Sequence, residues 1–555
     1  MNDSSNFYKR RNLLKGIAIT SGVSLFKLNI VEQIVNNLIS NANAAPLELP
    51  NFKYINFFTR GGAPRWYFDL PIAPNGNDEF LLNPHVITSM EMNTKNITNG
   101  KYQHVKIGKY YLPKLWSFKV PLSGGGFGTL QSLAESGLFI RGIHQGIDGH
   151  SFNIIKQNSP VSGGLTFTGA FADTANNPIP SVFAATTPEH RSAKNKSITS
   201  FNYLENHKVL SESFKSFKTN NPTSFNHSAS DAINLSVKAI QNNHSKNSIY
   251  LSGVAENIEN AKELLAKDFE AADEQYNLLF NKYYSLAERA LKMILPGITD
   301  SPIIASDRDP KFDIASVEGK LKAPEKKYDI REAFLDLKIS DEFAHSFALA
   351  EYLIVNKLSS SVFTGLEMLE NFNPKNFFDI NDKLITENNK RAKLNFDSHF
   401  SGTYTALIYF TKHFHAYATC LNEFVNILKN KKLYNDSIIH TSSDFNRLPD
   451  ANGYATGHGY EGCATSFFTG RVKNGPIVVG NIEVGKVTKG YGSGTWGKAV
   501  TENGANNNLA NVSSTICKIF EMNPIAPNGI ALVNLDPNTK MVSEIPSRKP
   551  KNIAV

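Results

Sequence analysis

Thr129-Leu130-Gln131-Ser132-Leu133-Ala134-Glu135 reads as a short helical turn, and Ser136-Gly137 leads from it into the apolar run Leu138-Phe139-Ile140-Arg141-Gly142-Ile143. A helix passing to a strand with almost no linker is α/β grammar, because all-β chains join short strands through turns alone. The same alternation extends in both directions. Upstream, Tyr54-Ile55-Asn56-Phe57-Phe58-Thr59 is a buried strand pattern that meets a sharp turn at Arg60-Gly61-Gly62, and Ser123-Gly124-Gly125-Gly126-Phe127-Gly128 precedes the helical turn. Downstream, a helix over Ser340–Leu358 leads to a strand over Ser361–Met368. A long amphipathic helix over Gly402–Leu428 leads to a strand over Asp436–Ser442. Residues 476–487 alternate as an extended stretch, and Asn508–Met522 forms a last helix before an irregular tail.

Composition bounds the class. The chain has 555 residues, 41% hydrophobic and 19% charged, enough to bury a sizeable core and unlike a disordered polymer. Its net charge of +8 is spread without blocks of like charge and gives little reason to expect a nucleic-acid partner. Cys420, Cys463 and Cys517 cannot build a paired disulfide framework, and none lies in a C-x-x-C spacing. No apolar run approaches the ~18 residues needed to span a bilayer, so the mature protein is expected not to cross a membrane.

Between about residues 200 and 330 the composition shifts. Asn, Ser and Lys dominate at first. Leu265, Phe269, Ala272, Tyr276, Leu279, Tyr283, Leu286, Ala290 and Met293 then recur at helical spacing until Pro296-Gly297. This pattern predicts a helix of about 40 residues in an inserted arm or cap, its apolar stripe spent on core packing. There is no internal repeat.

The first 45 residues read as an export label. Arg10-Arg11 stands before Leu13-Leu14-Lys15, a mild apolar segment runs from Gly16 to Phe26, and Ala42-Asn43-Ala44 offers small residues for cleavage. The order resembles a twin-arginine signal, which implies the twin-arginine export machinery as a partner and a periplasmic or secreted location. Loss of residues 1–44 removes five basic and two acidic residues and lowers the net charge from +8 to +5.

In an open α/β sheet, ligands bind beyond the carboxyl ends of the strands. Three polar clusters fall just after strand patterns or beside a helix start. The first is His144, Asp148, His150 and Ser151, and the second is Phe396-Asp397-Ser398-His399. The third is Ser442-Ser443-Asp444-Phe445-Asn446-Arg447, with His458 following between Gly457 and Gly459. Histidine and carboxylate side chains suit zinc, and carboxylates suit harder cations. Arg447 has the chemistry to clamp a phosphate or sulfate. Each also has a structural alternative: His150 capping a turn, Asp397 capping a helix, Arg447 neutralising Asp444. The glycine-rich Gly492–Lys498 stretch has P-loop spacing, yet Ala499 replaces the Ser or Thr that holds magnesium, so no nucleotide is expected. His413 and His415 sit two apart in a helix and point away from each other, which excludes a shared metal. No H-E-x-x-H or G-x-S-x-G motif occurs.

Taken in order, these motifs resemble one family. A first strand ends in Gly61-Gly62, His150-Ser151 follows a second, and Phe396-Asp397-Ser398-His399 precedes a long helix. Ser443-Asp444-Phe445-Asn446-Arg447 follows a further strand, ahead of the glycine-flanked His458. The pattern is similar to the twin-arginine-exported family of domain of unknown function fifteen-oh-one, related to alkaline phosphatases and sulfatases, from about Asn56 to Met522. The resemblance implies a three-layer α/β/α sandwich of alkaline phosphatase type over residues 46–522, with a largely helical insertion at about 200–330 and a tail over 523–555. It implies a divalent metal (zinc, or magnesium, manganese or calcium) held by Asp397, His399 and His458, with Asp444 on a second ion. Ser151, or His150 beside it, would occupy the nucleophile region, with Arg447 on the anion of a small or polymeric ester. Gly61-Gly62-Ala63-Pro64 departs from the family's G-G-N-D or G-G-P-S. Asp444 replaces a usual Glu, and Gly457 stands where an Asp precedes the histidine. These losses weaken a two-metal site most and leave a single-metal site, or no metal site, as the expectation. Two functions follow: a metal-dependent hydrolase of phosphate or sulfate esters, or a non-catalytic member of the fold serving as an interaction scaffold.

Overall fold

A computed structural model describes residues 50–76, 85–92, 98–201 apart from 178, 185–187 and 197, 269–306, 327–329, 331, 337–366, 370–372, 391–393, 403–449, 453, 456–459, 462–484, 507–550 and 553–554. The export label, Asp397, His399, residues 202–268 and the Gly492–Lys498 stretch lie outside the described residues.

The architecture is mixed α/β around one central mixed sheet. Its strands are β1 (Lys53–Thr59), β2 (Gly137–His144), β3 (Ser181–Ala184), β4 (Ile198–Phe201), β5 (Ser361–Leu366) and β6 (Ser437–Ser443). A hairpin of β7 (Asn446–Pro449) and β8 (Thr456–Gly459) follows β6. The sheet is completed by β9 (Cys463–Phe468), β10 (Ile477–Val479) and β11 (Asn507–Asn508). The spatial order is β4-β3-β5-β1-β6-β9-β2-β10, with β11 also paired to β2. Only β9 runs against its neighbours, pairing antiparallel with β6 and with β2. Register places Asn56 beside His440 and Thr59 beside Ser443, so the carboxyl ends of β1 and β6 are level.

Strand alternation sends side chains to two cores. Ile55, Phe57, Val362, Ile439 and Phe468 join a cluster with helices α3 (Phe269–Leu291), α4 (Asp341–Val355) and α5 (Thr403–Asn430). Tyr54, Ile140, Ile438 and Phe467 join a second cluster with α2 (Phe167–Ala172) and α6 (Leu509–Phe520). The helix starts follow capping chemistry. The Ser340 hydroxyl accepts from the Phe343 amide at 3.3 Å, with Asp341 and Glu342 in the first turn, and the Asn508 side chain accepts from Asn511 at 3.0 Å.

The expected helix through Leu286 and Ala290 is described as Phe269–Leu291, and in its carboxyl half Tyr283, Leu286, Ala287 and Ala290 are buried against α4 and α5. One feature of β2 escapes periodicity. Gly142, at φ +71°, is skipped where Cys463 pairs with Ile143 and Ala464 with Arg141, so it is a bulge. A side chain there would meet the Asn481 carbonyl at 1.9 Å. The bulge re-aims Ile143 and His144 at the strand's carboxyl end. No helix among the described residues is long and apolar enough to cross a membrane.

His413, His415 and His440 are buried, His413 against aromatic rings, His415 on two backbone carbonyls and His440 between the Tyr54 and Thr465 hydroxyls. Burial pushes His413 down to about 3 and His415 to about 4, and His440 is held well below the ordinary range by burial and the nearby Arg65 guanidinium. All three fold as neutral imidazoles, whereas the unfolded chain binds protons near pH 6.5. Stability is therefore present above about pH 6.5 and lost as pH falls toward about 3, a change on the order of several kcal/mol in total. Urea midpoints measured from pH 7 down to 4.5 should fall, and His413→Leu should make that slope shallower by about one proton. An unchanged slope would assign the acid limb to other groups.

Candidate active site

The site begins with the turn that ends β1. Gly61 and Gly62 lie at φ +105° and +70°, where glycine is favoured, and a β-carbon on Gly62 would come within 2.5 Å of the Phe445 ring. The turn aims two amides at Asp444, which follows β6. The Gly61 amide donates to both carboxylate oxygens at 3.1 Å, and the Gly62 amide donates to Oδ1 at 2.5 Å. The Ser443 hydroxyl adds a bond to Oδ1 at 3.0 Å. His150 completes the set through Nδ1 on Oδ2. Asp444 has no exposed surface, and these donors replace its hydration.

Arg447, on β7, holds the turn from the other side. Its Nε donates to the Gly62 carbonyl at 2.8 Å and its Nη2 to the Gly61 carbonyl at 2.5 Å. The guanidinium is fully buried and stacks 5.3 Å from the Phe445 ring centroid. Arg447, expected to bind a substrate anion, thus turns its Nε and Nη2 to the glycine turn.

β8 brings His458 opposite Arg447 in the hairpin. His458 Nδ1 lies 2.5 Å from Oδ1 of Asp148, which sits in the loop between β2 and helix α1 (His150–Asn158). The His150 and His458 ring centroids are 5.1 Å apart, close to perpendicular. The Phe445 ring packs against both, at 4.6 Å from His150 and 4.2 Å from His458. A neutral imidazole whose Nδ1–H faces a carboxylate carries its lone pair on Nε2, so both rings are oriented alike. Asp444 is sealed in, whereas the Asp148 side chain is 52% exposed.

Of the residues expected to act, the structure gathers His150, Asp444 and His458, with Arg447 directly behind them. Ser151 is the second residue of α1 and exposed, and it makes no hydrogen bond to either imidazole. Asp397 and His399 fall outside the described residues. Asp444 does not fit the part of a direct metal ligand, because its lone pairs are committed to amides, a hydroxyl and His150. It anchors His150 instead. His458 does fit, since a ring pinned at Nδ1 by a carboxylate is the usual setting of a ligating histidine. Among the described residues no group of three or more His, Cys, Asp or Glu is placed to hold a metal ion. Asp148 was legible as a polar residue two positions before His150, but nothing local announces its pairing with His458, 310 residues away. Phe445 carried no signal beyond its apolarity.

No family model, curated protein or solved structure matches this chain.

The two carboxylates should differ sharply under substitution. Asp444→Asn turns amide hydrogens toward buried donors and should cost about 2–4 kcal/mol. Asp148→Asn, at a half-exposed ion pair, should cost less than about 1 kcal/mol. Denaturant unfolding of both variants checks this, and equal costs would contradict the assigned burial.

Proposed function

We propose that this chain is an exported hydrolase of phosphate or sulfate esters, built as a three-layer α/β/α sandwich of alkaline phosphatase type. The observation that carries the reading is the pairing of two imidazoles, each backed by a carboxylate, at the carboxyl edge of the parallel strands. The resemblance of the Gly61-Gly62, Asp444–Arg447 and His458 motifs supports the fold family, and the Arg10-Arg11 segment supports twin-arginine export to the periplasm or beyond.

In this reading His150 is the general base. Asp444 fixes its tautomer and stabilises the imidazolium that forms. His150 Nε2 takes a proton from a water molecule as the water oxygen bonds to phosphorus or sulfur. The bond from that centre to the ester oxygen breaks, and the departing oxygen takes a proton from solvent, while His458, oriented by Asp148 at Nδ1, keeps Nε2 for the cation. Loss of the proton from His150 to solvent returns the site to its starting state. Water serves as the nucleophile in this reading, since among the described residues Ser151 makes no hydrogen bond to His150 or His458. A divalent cation such as zinc, magnesium, manganese or calcium would be held by His458 with Asp397 and His399 from the family pattern, and would polarise a non-bridging oxygen of the ester.

The test is hydrolysis of aryl phosphate and aryl sulfate by the purified chain. His150→Ala and His458→Ala should each lower kcat about 100-fold or more, and Ser151→Ala should leave it within about threefold. Loss of activity in Ser151→Ala with His150→Ala unaffected would make the serine the nucleophile and overturn the base. Absence of hydrolysis of either ester class, with the protein folded, would leave the scaffold reading.

A further inference from the structure

A cavity of about 240 Å³ opens beside the Pro296-Gly297 turn and shares no residue with the proposed active site. Its walls are the strand Ser89–Met92, the segment 296–303 and the start of the helical turn Lys114–Ser117. Backbone bonds fix these walls. The Met90 amide donates to the Gly297 carbonyl at 2.6 Å, and the Lys114 amide donates to the Gln103 carbonyl at 3.0 Å. The Gly297 amide donates to Asp300 Oδ1 at 2.9 Å. Gly297 stands at φ +77°, and a β-carbon there would come within 2.1 Å of the Ser89 hydroxyl oxygen, so glycine leaves that hydroxyl its room.

Three polar side chains line this space with bonding capacity to spare. Ser89 is 2% exposed, and its hydroxyl makes no hydrogen bond among the described residues. A buried hydroxyl without a partner is costly unless a ligand bonds it. Lys114 is half-buried, and its ammonium makes no ion pair or hydrogen bond among the described residues. Asp300 is exposed, with Oδ1 on the Gly297 amide and Oδ2 uncommitted among the described residues. A cation and an anion thus share one cavity without pairing with each other. Met90, Ile298 and Ile303, all buried, supply an apolar wall.

We infer that this cavity binds a free α-amino acid with a small aliphatic side chain. Drug-sized ligands occupy pockets of about 300–1,000 Å³, so this volume suits a smaller molecule. The two charges select a zwitterion, because Asp300 disfavours a plain carboxylate or phosphate and Lys114 disfavours a plain amine. The ligand carboxylate meets Lys114 and the Ser89 hydroxyl, and its ammonium meets Asp300. Its aliphatic side chain covers Ile298 and Ile303. Binding here requires none of the groups assigned to ester hydrolysis.

Isothermal titration calorimetry of the full-length protein with L-alanine, L-valine and L-leucine tests the assignment. At least one should bind at a single site. Its amide and its N-acetyl derivative, each lacking one charge, should bind about tenfold or more weakly. Lys114→Met should weaken the amino acid about tenfold and leave its amide as before, whereas Asp300→Asn should weaken the amino acid alike and leave the N-acetyl derivative as before. Ser89→Ala should weaken it about threefold. Melting curves recorded without ligand separate lost binding from lost fold, and the two derivatives are measured on the parent protein, whatever the variants' stability. Absence of heat with all three amino acids would overturn the proposal. So would parent-level binding of the amide or the N-acetyl derivative, and so would unchanged affinity in Lys114→Met and Asp300→Asn.

Discussion

The peptide between Gly61 and Gly62 carries the site. Its N–H donates to Asp444 and its carbonyl accepts from Arg447, so a single dipole lies between a buried anion and a buried cation. Neither charge has water to turn to, and each is satisfied through the turn. Everything catalytic in the proposal hangs from this arrangement. His150 rests its Nδ1 on Asp444, and Phe445 closes over Gly62 while touching both imidazoles. A side chain at Gly62 would strike that ring, which is why the turn needs two glycines and not one.

Below the turn, a polar network keeps β1, β6 and β9 in register. The Tyr54 hydroxyl lies 2.7 Å from His440 Nδ1, and His440 Nε2 lies 2.6 Å from the Thr465 hydroxyl. Asn56 receives a bond from Ser442 at 2.8 Å. His440 and Ser442 occupy alternate positions of β6 and so share one face, and Asp444 follows at the strand's end. A slip of one residue would turn His440 and Ser442 to the opposite face and displace Asp444 from the turn, which makes the network a safeguard of the site's position. The same economy governs the helices. Lys412 donates to the Leu291 and Met293 carbonyls at 2.6 Å each, capping the end of α3, while His415 joins that end to the Lys119 carbonyl. Burial draws Lys412 down to about 8, yet its role in the fold is a tether.

Residues rich in chemical potential therefore divide into two groups by burial. His413, His415, Lys412 and Arg447 are interior, and their polar groups serve the backbone or sit among rings. His150 and His458 are half-buried and oriented by carboxylates. Charge and residue type do not separate these groups; access to the strand edge does.

The amino-acid sequence by itself determined the type and approximate bounds of the longest elements, and it left β3, β4, β7, β8, β9, α1 and α2 unmarked. Apolar periodicity marks β1, β5, β6, α5 and α6 to within a residue or two, and α4 to within three, because a strand or helix must turn its apolar face to the core wherever it sits. It also placed His150, Asp444 and His458 near strand ends. What only tertiary structure decided was partnership. The bond between Asp148 and His458, the bonds of Gly61, Gly62 and His150 to Asp444 and the inward turn of Arg447 join residues far apart in the chain, and no local pattern encodes such contacts. The bulge at Gly142 belongs to the same class, since it exists only in relation to the strand it is paired with.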